Sequence, residues 1–248
     1  MGQRASHTPE AIRERLDVDA GQDYLRDVIY GAVDGAVTTF AIAAGAIGAG
    51  LSSSVVLVLG VANLLADGLS MAASNYLGTS ADEERRLRIL RDEEAQLDAY
   101  PDGEREVIRQ IYARKGFGGE GLEHVVEVIT ADRERWLHTM LREEHDLPLV
   151  GRSAWRAAFA TFLAFLALGT IPLLPFIGDV VSESRVPAPF ALSATLTGSA
   201  FFVVGAAKGR IVAQPWLRGG LETLAIGGAA ASVAFAVGIA LQGLIDGA

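Results

Sequence analysis

The stretch Val55–Leu77 reads VVLVLGVANLLADGLSMAASNYL, and it decides the fold. It contains one acid, Asp67, and no lysine or arginine. A helix needs about 20 apolar residues to cross the hydrocarbon core of a bilayer. Lipid offers the backbone no hydrogen-bond partners, so a spanning segment is either a helix or a strand of a closed barrel. Barrel strands take about 10 residues of alternating hydrophobicity, so this longer and more uniform run predicts a membrane-spanning helix.

Four more stretches share roughly this length and are rich in Ala, Gly, Leu and Val. They lie at about 28–50, 155–177, 189–207 and 221–245. The mean hydropathy of +0.31 is high for a soluble chain of this size. The sequence therefore predicts an all-α, polytopic membrane protein with five transmembrane helices.

Acidic residues are concentrated between the second and third spans. Of the 30 acids in the chain, 18 fall between Asp82 and Asp146, which indicates a water-exposed insert in a lipid-embedded chain. This pattern predicts four segments. They are an N-terminal segment at 1–27, two transmembrane helices at 28–79, the insert at 80–150, and three transmembrane helices at 151–248.

The pattern of the insert predicts three helices and no strand. The first, Asp82–Leu97, continues the second span. Pro101-Asp102-Gly103 predicts a turn, and Glu104–Lys115 follows it as the second helix. The third, Gly121–Asp146, ends before Pro148, and its apolar residues roughly follow the helical period.

The loops between spans predict the orientation in the membrane. The connection between the fourth and fifth spans is basic, with Lys208, Arg210 and Arg218. The connection between the third and fourth is mainly acidic, with Asp179, Glu183 and a single Arg185. Because basic loops stay in the cytoplasm, we expect the N-terminal segment and the insert to be cytoplasmic and the C-terminus to lie outside.

Composition and missing motifs exclude several classes of function. The formal net charge of -9 does not favour nucleic-acid binding. The absence of cysteine excludes disulfides, thiolate metal sites and cysteine catalysis. The sequence has no Gly-x-Ser-x-Gly motif, no phosphate-binding loop and no Glu-x-x-His pair of the kind found in di-iron carboxylate bundles. We therefore expect no enzyme activity, no organic cofactor and no nucleic-acid partner.

Polar residues in the first two spans are the strongest functional signal. Asp27 and Asp34 lie seven residues apart on one face of the first helix. Asn63, Asp67 and Met71 follow one another at intervals of four in the second. An ionisable group inside a bilayer costs about 2.5–3.5 kcal/mol on insertion scales. Neither span contains a lysine or arginine, so a mobile cation or a proton must neutralise these acids.

These side chains carry the donor atoms of a divalent metal site. Carboxylate and amide oxygens suit hard and borderline ions, and a thioether adds a preference for a softer transition metal. The alternative is structural: Asp34 and Asp67 would be protonated and hydrogen-bonded between helices, and Met71 would only pack.

Two glycines in the first span leave two interpretations open. Gly31 and Gly35 have the GxxxG spacing that lets helix backbones approach closely. This spacing serves either tight packing within one subunit or the seam of a dimer.

The insert holds a second set of carboxylates, which we interpret as a candidate metal cluster. Its members are Glu83, Glu84, Asp92, Glu93, Glu94, Glu104, Glu106, Glu143 and Glu144. The alternative is a solvated helix surface, because arginines interleaved with these acids can form i,i+4 pairs. We expect the three histidines of the insert to be surface residues: His124, His138 and His145.

The two span motifs resemble those of the vacuolar iron transporter family. The run DVIYGAVDGAVTTF at 27–40 is similar to the family's first-span motif, and NLLADGLSMAASNYL at 63–77 is similar to its second. The resemblance covers nearly the whole chain after Asp23, including the five spans and the insert, which resembles the family's cytoplasmic metal-binding domain. It implies a transporter that moves Fe²⁺, and also Mn²⁺, out of the cytosol in exchange for protons.

The resemblance also implies roles for individual residues. Asp34 and Met71 correspond to ligands in the translocation path. The acids at its cytoplasmic mouth correspond to Asp23 and Asp27. The metal-binding positions of the insert correspond to Glu93, Glu104, Met140 and Glu144.

Three positions depart from the family pattern. Asn63 stands where the family commonly has Glu, and Asp67, one turn away, is a candidate substitute. Gln96 and Val107 stand where acids are expected in the insert. Either the insert binds metal more weakly, or two neighbouring acids compensate: Glu94 and Glu106.

The resemblance implies a homodimer in a lipid bilayer, with metal ions and protons as its other partners. The substrate is a divalent metal, and Fe²⁺, Mn²⁺, Co²⁺ and Zn²⁺ are all candidates. The Ala- and Arg-rich composition favours a bacterial cell membrane; in a eukaryote a vacuolar-type membrane is expected. The alternative function is a membrane-anchored protein that senses or stores metal, and a membrane di-iron oxidase is the third.

Overall fold

The computed structural model describes residues 8–17, 23–182 and 186–246. Within these ranges the chain forms α-helices and one 3-10 turn at Ile171–Leu173, and no strand. The helices are α1 (Pro9–Asp17), α2 (Leu25–Gly48), α3 (Ser53–Ala99), α4 (Pro101–Arg114), α5 (Gly119–Thr130), α6 (Arg133–Glu143), α7 (Ala154–Gly169), α8 (Leu174–Val181), α9 (Pro189–Ile211) and α10 (Trp216–Asp246). Two residues used in the orientation prediction lie outside the described residues: Glu183 and Arg185.

Five helical segments in the described chain are long and apolar enough to cross a membrane. They are Leu25–Gly48, Ser53–Ala99, Ala154–Val181, Pro189–Ile211 and Trp216–Gly243. The predicted all-α fold with five transmembrane helices is therefore confirmed.

The third span is interrupted between α7 and α8. Pro172 and Pro175 lie in this region, and proline has no backbone N–H to continue a helical hydrogen-bond ladder. The carbonyl of Pro172 accepts a hydrogen bond from the Ser193 hydroxyl of α9 at 2.6 Å. A neighbouring helix thus satisfies a backbone group that the interruption frees, as a spanning segment requires.

Helix α3 is longer than a bilayer is thick. Its 47 residues extend about 70 Å at 1.5 Å per residue, against about 30 Å of hydrocarbon. Its first half is apolar and its second half, from Asp82 onward, is densely charged. The predicted continuation of the second span through Leu97 is thus confirmed.

The chain divides into two compact units. One, which we call the membrane unit, comprises residues 1–76 and 155–248. The other, the insert unit, comprises residues 77–154.

Helix α2 packs closely against α7 inside the membrane unit. A Cβ atom added to Gly31 would lie 2.2 Å from the carbonyl oxygen of Thr161, and one added to Gly35 would lie 2.3 Å from that of Phe165. Both distances are far below van der Waals contact, so these positions accept only glycine at this spacing. Of the two interpretations of the GxxxG pattern, the structure shows packing within one chain.

The insert unit has its own apolar core. Its buried residues are Leu97, Ile108, Val126, Ile129, Trp136, Leu137 and Met140. They come from α3, α4, α5 and α6, so the end of the long helix and the three shorter helices share one core.

Two local predictions for the insert were wrong. Pro101-Asp102-Gly103 is not a separate turn but the first turn of α4, because proline is favoured at the first position of a helix. The helix predicted from Gly121 to Asp146 is split into α5 and α6. Asp132 separates them, and its carboxylate caps α6 by accepting a hydrogen bond from the backbone N–H of Arg135 at 2.7 Å.

Candidate metal sites

Asp34 and Met71 line the same pocket in the membrane unit. The pocket has a volume of about 370 Å³. Four of its residues lie on α2, Met71 lies on α3, and Ile226 lies on α10; the α2 residues are Tyr30, Val33, Asp34 and Val37. A carboxylate and a thioether from two helices therefore line one shallow, open pocket with otherwise mainly apolar walls.

Asp67 and Asn63 lie on α3 near this pocket but make different contacts. Asp67 is exposed in the single chain. The amide nitrogen of Asn63 donates to the hydroxyl of Thr38 at 3.3 Å, and that hydroxyl donates to the backbone oxygen of Asp34 at 2.9 Å. Asn63 thus joins α3 to the turn of α2 that carries Asp34.

Asp27 lies in a buried hydrogen-bonded group that joins three helices. Its carboxylate accepts a hydrogen bond from the amide of Asn75 at 2.9 Å, and the same amide nitrogen donates to the hydroxyl of Thr161 at 2.7 Å. Asp27 is 4% exposed and Thr161 is 1% exposed. Neither Asn75 nor Thr161 was among the residues predicted from the sequence. The interval of four through Asn63, Asp67 and Met71 extends to Asn75 and could have identified it.

Asp23 lies at the start of α2 and has a structural contact. Its carboxylate accepts a hydrogen bond from the backbone N–H of Leu25 at 2.8 Å, and its side chain is exposed. This contact satisfies one of the free N–H groups of the first turn. The carboxylate lies at the N-terminal end of the helix that carries Asp27 and Asp34.

In the insert unit, three side chains bring metal-binding atoms together. One donor atom from each of Glu93, Glu144 and His145 lies within 4.8 Å of the other two. Glu93 Oε1 lies 2.8 Å from His145 Nε2. His145 was expected at the surface; its side chain is only partly exposed, at 27%, and contacts a buried carboxylate. No local pattern signals this contact, since the two residues are 52 positions apart.

Glu104 of α4 belongs to the same electrostatic environment. Its burial, and the charges of Glu93 and Glu144, raise its pKa above the ordinary value, and His145 partly offsets this. The pKa of Glu144 is also raised, by the partial burial of its carboxyl group and by Glu93. Acids crowded in this way favour an added cation or proton.

Four other candidate residues of the insert have different surroundings. Glu106 pairs with Arg109, Glu143 pairs with Lys115, and Glu94 is exposed. Met140 is fully buried in the apolar core of the unit. The cluster that the structure assembles is therefore smaller than the set that the sequence offered.

These observations define the class: a polytopic helical membrane protein with carboxylates inside its spans and a carboxylate–imidazole cluster in an insert. A sequence profile of the VIT family matches residues 25–239. The chain belongs to this family, and the resemblance seen in the span motifs is confirmed.

Proteins named vacuolar iron transporter are similar over most of this chain. Vacuolar iron transporter 1 of Arabidopsis thaliana is 33% identical over 221 residues, which cover 89% of this chain and 87% of the relative. Vacuolar iron transporter 1 of Eucalyptus grandis is 32% identical over the same shares of the two chains. The vacuolar iron transporter of Toxoplasma gondii (strain ATCC 50861 / VEG) is 31% identical over 258 residues, which cover 99% of this chain and 85% of the relative.

Proposed function

We propose that this protein is a membrane transporter, and not an enzyme, that moves ferrous iron out of the cytosol. Membership of the VIT family and the names of its relatives support iron as the substrate. The observation that carries the proposal is the pocket shared by Asp34 and Met71. Arg26, at the N-terminal end of α2, lies over the ring of Tyr30, and no lysine or arginine occurs between residues 28 and 50, so the carboxylate of Asp34 requires a mobile cation or proton. A thioether favours a transition metal over Mg²⁺ or Ca²⁺.

The proposed path enters along α2. Asp23 and Asp27 form the mouth, and Asp34 with Met71 forms the central site. Asp67 supplies the second carboxylate of the path, in place of the Glu that the family commonly has at position 63. Asn63 then acts mainly by holding the backbone of α2 through Thr38, as its hydrogen bond indicates.

Proton exchange follows from the same chemistry. After the ion leaves, the carboxylate of Asp34 is again uncompensated within its span, and a proton from the far side neutralises it for the return. Carboxylate and thioether ligands also accept Mn²⁺, which we propose as a second substrate.

We propose that the insert collects metal before transport. Glu93, Glu104 and Glu144 form the collecting site, and Met140 lies in the core beneath it. Glu106 pairs with Arg109 and Glu143 pairs with Lys115, so a metal ion would have to displace a cationic side chain at either acid. We therefore assign these two acids a smaller role. The exposed Glu94 attracts cations but does not hold them at a fixed position.

The active form is proposed to be a homodimer with a cytoplasmic insert. A carboxylate exposed to lipid is costly, so the exposed Asp67 favours a second copy that covers this face of α3. Lys208 and Arg210 lie in the last turn of α9, and a basic connection of this kind favours the cytoplasmic side. The proposed location is the cell membrane of a bacterium, or a vacuolar-type membrane in a eukaryote.

Transport into liposomes separates this proposal from a metal sensor or store. The purified protein would be reconstituted with a metal-sensitive dye inside and given Fe²⁺, Mn²⁺, Co²⁺ or Zn²⁺ outside, with and without an imposed pH gradient. We expect dye quenching by Fe²⁺ that is faster when the metal-free compartment is more acidic. Binding without uptake of any ion would contradict the proposal and favour the sensor or store.

A further inference from the structure

His145 places an imidazole where a metal ligand would be. Its Nε2 atom is 2.8 Å from Glu93 Oε1, and the donor atoms of Glu93, Glu144 and His145 lie within 4.8 Å of one another. Two ligands with bonds of about 2.1 Å at neighbouring corners of an octahedral ion lie about 3.0 Å apart. The Glu93–His145 spacing is close to that distance, so one ion can contact both with little movement.

Glu93 carries an unsatisfied buried atom that points to a ligand. Its side chain is 5% exposed, and within the described part of the chain its Oε2 atom is buried without a hydrogen-bond partner. A buried carboxylate oxygen without a donor is costly, on the order of 1–3 kcal/mol or more. A bound cation would remove this cost. The hydrogen bond with His145 uses only the other oxygen.

The backbone after α6 holds His145 against Glu93. The N–H groups of Glu144 and His145 both donate to the carbonyl of Met140, at 2.9 and 3.3 Å. Asp146 adopts a left-handed conformation with φ of 52°, which reverses the chain directly after the histidine. His138, by contrast, lies within α6, is 45% exposed and lies 3.9 Å from the exposed Glu134, as an ordinary i,i+4 pair.

We propose that His145 is a metal ligand of the insert, together with Glu93 and Glu144, and that its imidazole makes the insert prefer Fe²⁺, Co²⁺ and Zn²⁺ over Mn²⁺. Imidazole nitrogen suits these later ions, whereas Mn²⁺ is better served by oxygen ligands alone. Gln96 and Val107 leave this insert with fewer carboxylates, and the histidine supplies a donor of a different kind. The inference rests on the proposed metal binding by the insert.

The test measures binding of Co²⁺ and Mn²⁺ to the whole protein in detergent by titration calorimetry. The variants are His145→Ala, His145→Gln, Glu93→Gln and, as a matched control, His138→Ala. We expect both His145 variants to weaken Co²⁺ binding by at least about tenfold, a loss seen even for residues outside the first ligand shell. Mn²⁺ binding should change less, and the control should behave as wild type.

A second readout is the NMR spectrum of the Co²⁺-bound protein. Co²⁺ shifts the ring protons of a ligating imidazole far outside the ordinary NMR range, and one such set should be lost in His145→Gln and kept in His138→Ala. If Glu93→Gln weakens Co²⁺ binding while both His145 variants bind normally, the inference about His145 is overturned, and the proposed metal binding by the insert is retained. If Glu93→Gln also binds normally, metal binding by this cluster is overturned as well.

Discussion

At the scale of single residues, Glu104 is held where its charge is costly. Burial and the charges of Glu93 and Glu144 raise its pKa. A carboxyl group with a higher pKa in the folded than in the unfolded chain favours folding when it is protonated. That advantage is lost as the pH rises through the folded-state pKa, because the ionised form is better accommodated in the unfolded chain. Such a free-energy cost of the ionised carboxylate is expected at a site that binds a cation.

We predict that Glu104→Gln raises the melting temperature of the metal-free protein at neutral pH and weakens metal binding. The increase in melting temperature should vanish at acidic pH, where the wild-type carboxyl group is also uncharged. Thermal unfolding in detergent with a chelator measures this increase, and about 1 kcal/mol corresponds to about 2–4 °C for a chain of this length. Glu127→Gln, on the exposed face of α5, is the control. A lower melting temperature for Glu104→Gln would mean that the ionised group stabilises the fold.

The hydroxyl of Thr161 has a measurable structural role. It accepts a hydrogen bond from the amide of Asn75, which also holds the carboxylate of Asp27. Thr161→Val keeps the shape but removes this acceptor, so we predict a loss of about 1–3 kcal/mol in the free energy of unfolding. Thr195→Val is the matched control, because Thr195 is exposed and its hydroxyl bonds only the backbone of its own helix. Equal effects of the two changes would contradict the proposed coupling of α2, α3 and α7.

At the scale of helices, the contact between α2 and α7 depends on glycine. A methyl group at Gly35 would meet the carbonyl oxygen of Phe165 at 2.3 Å, so the helices would have to separate. We predict that Gly35→Ala lowers the melting temperature by several degrees. Gly78→Ala is the matched control, because nothing lies within 4 Å of a Cβ at that position of α3, and alanine should stabilise the helix by about 0.5–1 kcal/mol. An unchanged melting temperature for Gly35→Ala would contradict the close packing of α2 against α7.

The spans could be predicted from the sequence because lipid sets a simple rule of length and polarity. The break between α5 and α6 could not, because a charged stretch tolerates either a continuous helix or a new start at Asp132. The partnership of Glu93 and His145 depends on how α3 and the end of α6 pack around a shared core. Sequence spacing carries no signal for that. Asn75 could have been predicted from the sequence, since it continues the interval of four on α3.

At the scale of the whole molecule, the orientation can be tested without transport. Five spans place the two ends of the chain on opposite sides, and the basic connection between α9 and α10 favours an inside N-terminus. We predict that a reporter active only in the cytoplasm works at the N-terminus and within the insert, and fails after Ala248. Activity after Ala248 would contradict this orientation.

The central claim is that metal passes the carboxylate of Asp34, and initial transport rates test it most directly. Asp34→Asn keeps the shape of the side chain but removes both its charge and its proton site. Rates of Fe²⁺ uptake would be compared at matched protein in liposomes for wild type, Asp34→Asn, Glu93→Ala and the exposed control Asp102→Asn. We predict that Asp34→Asn folds and inserts but carries no metal, that transport by Glu93→Ala is only slowed, and that the control is unchanged. Near-normal flux through Asp34→Asn would contradict the proposed path.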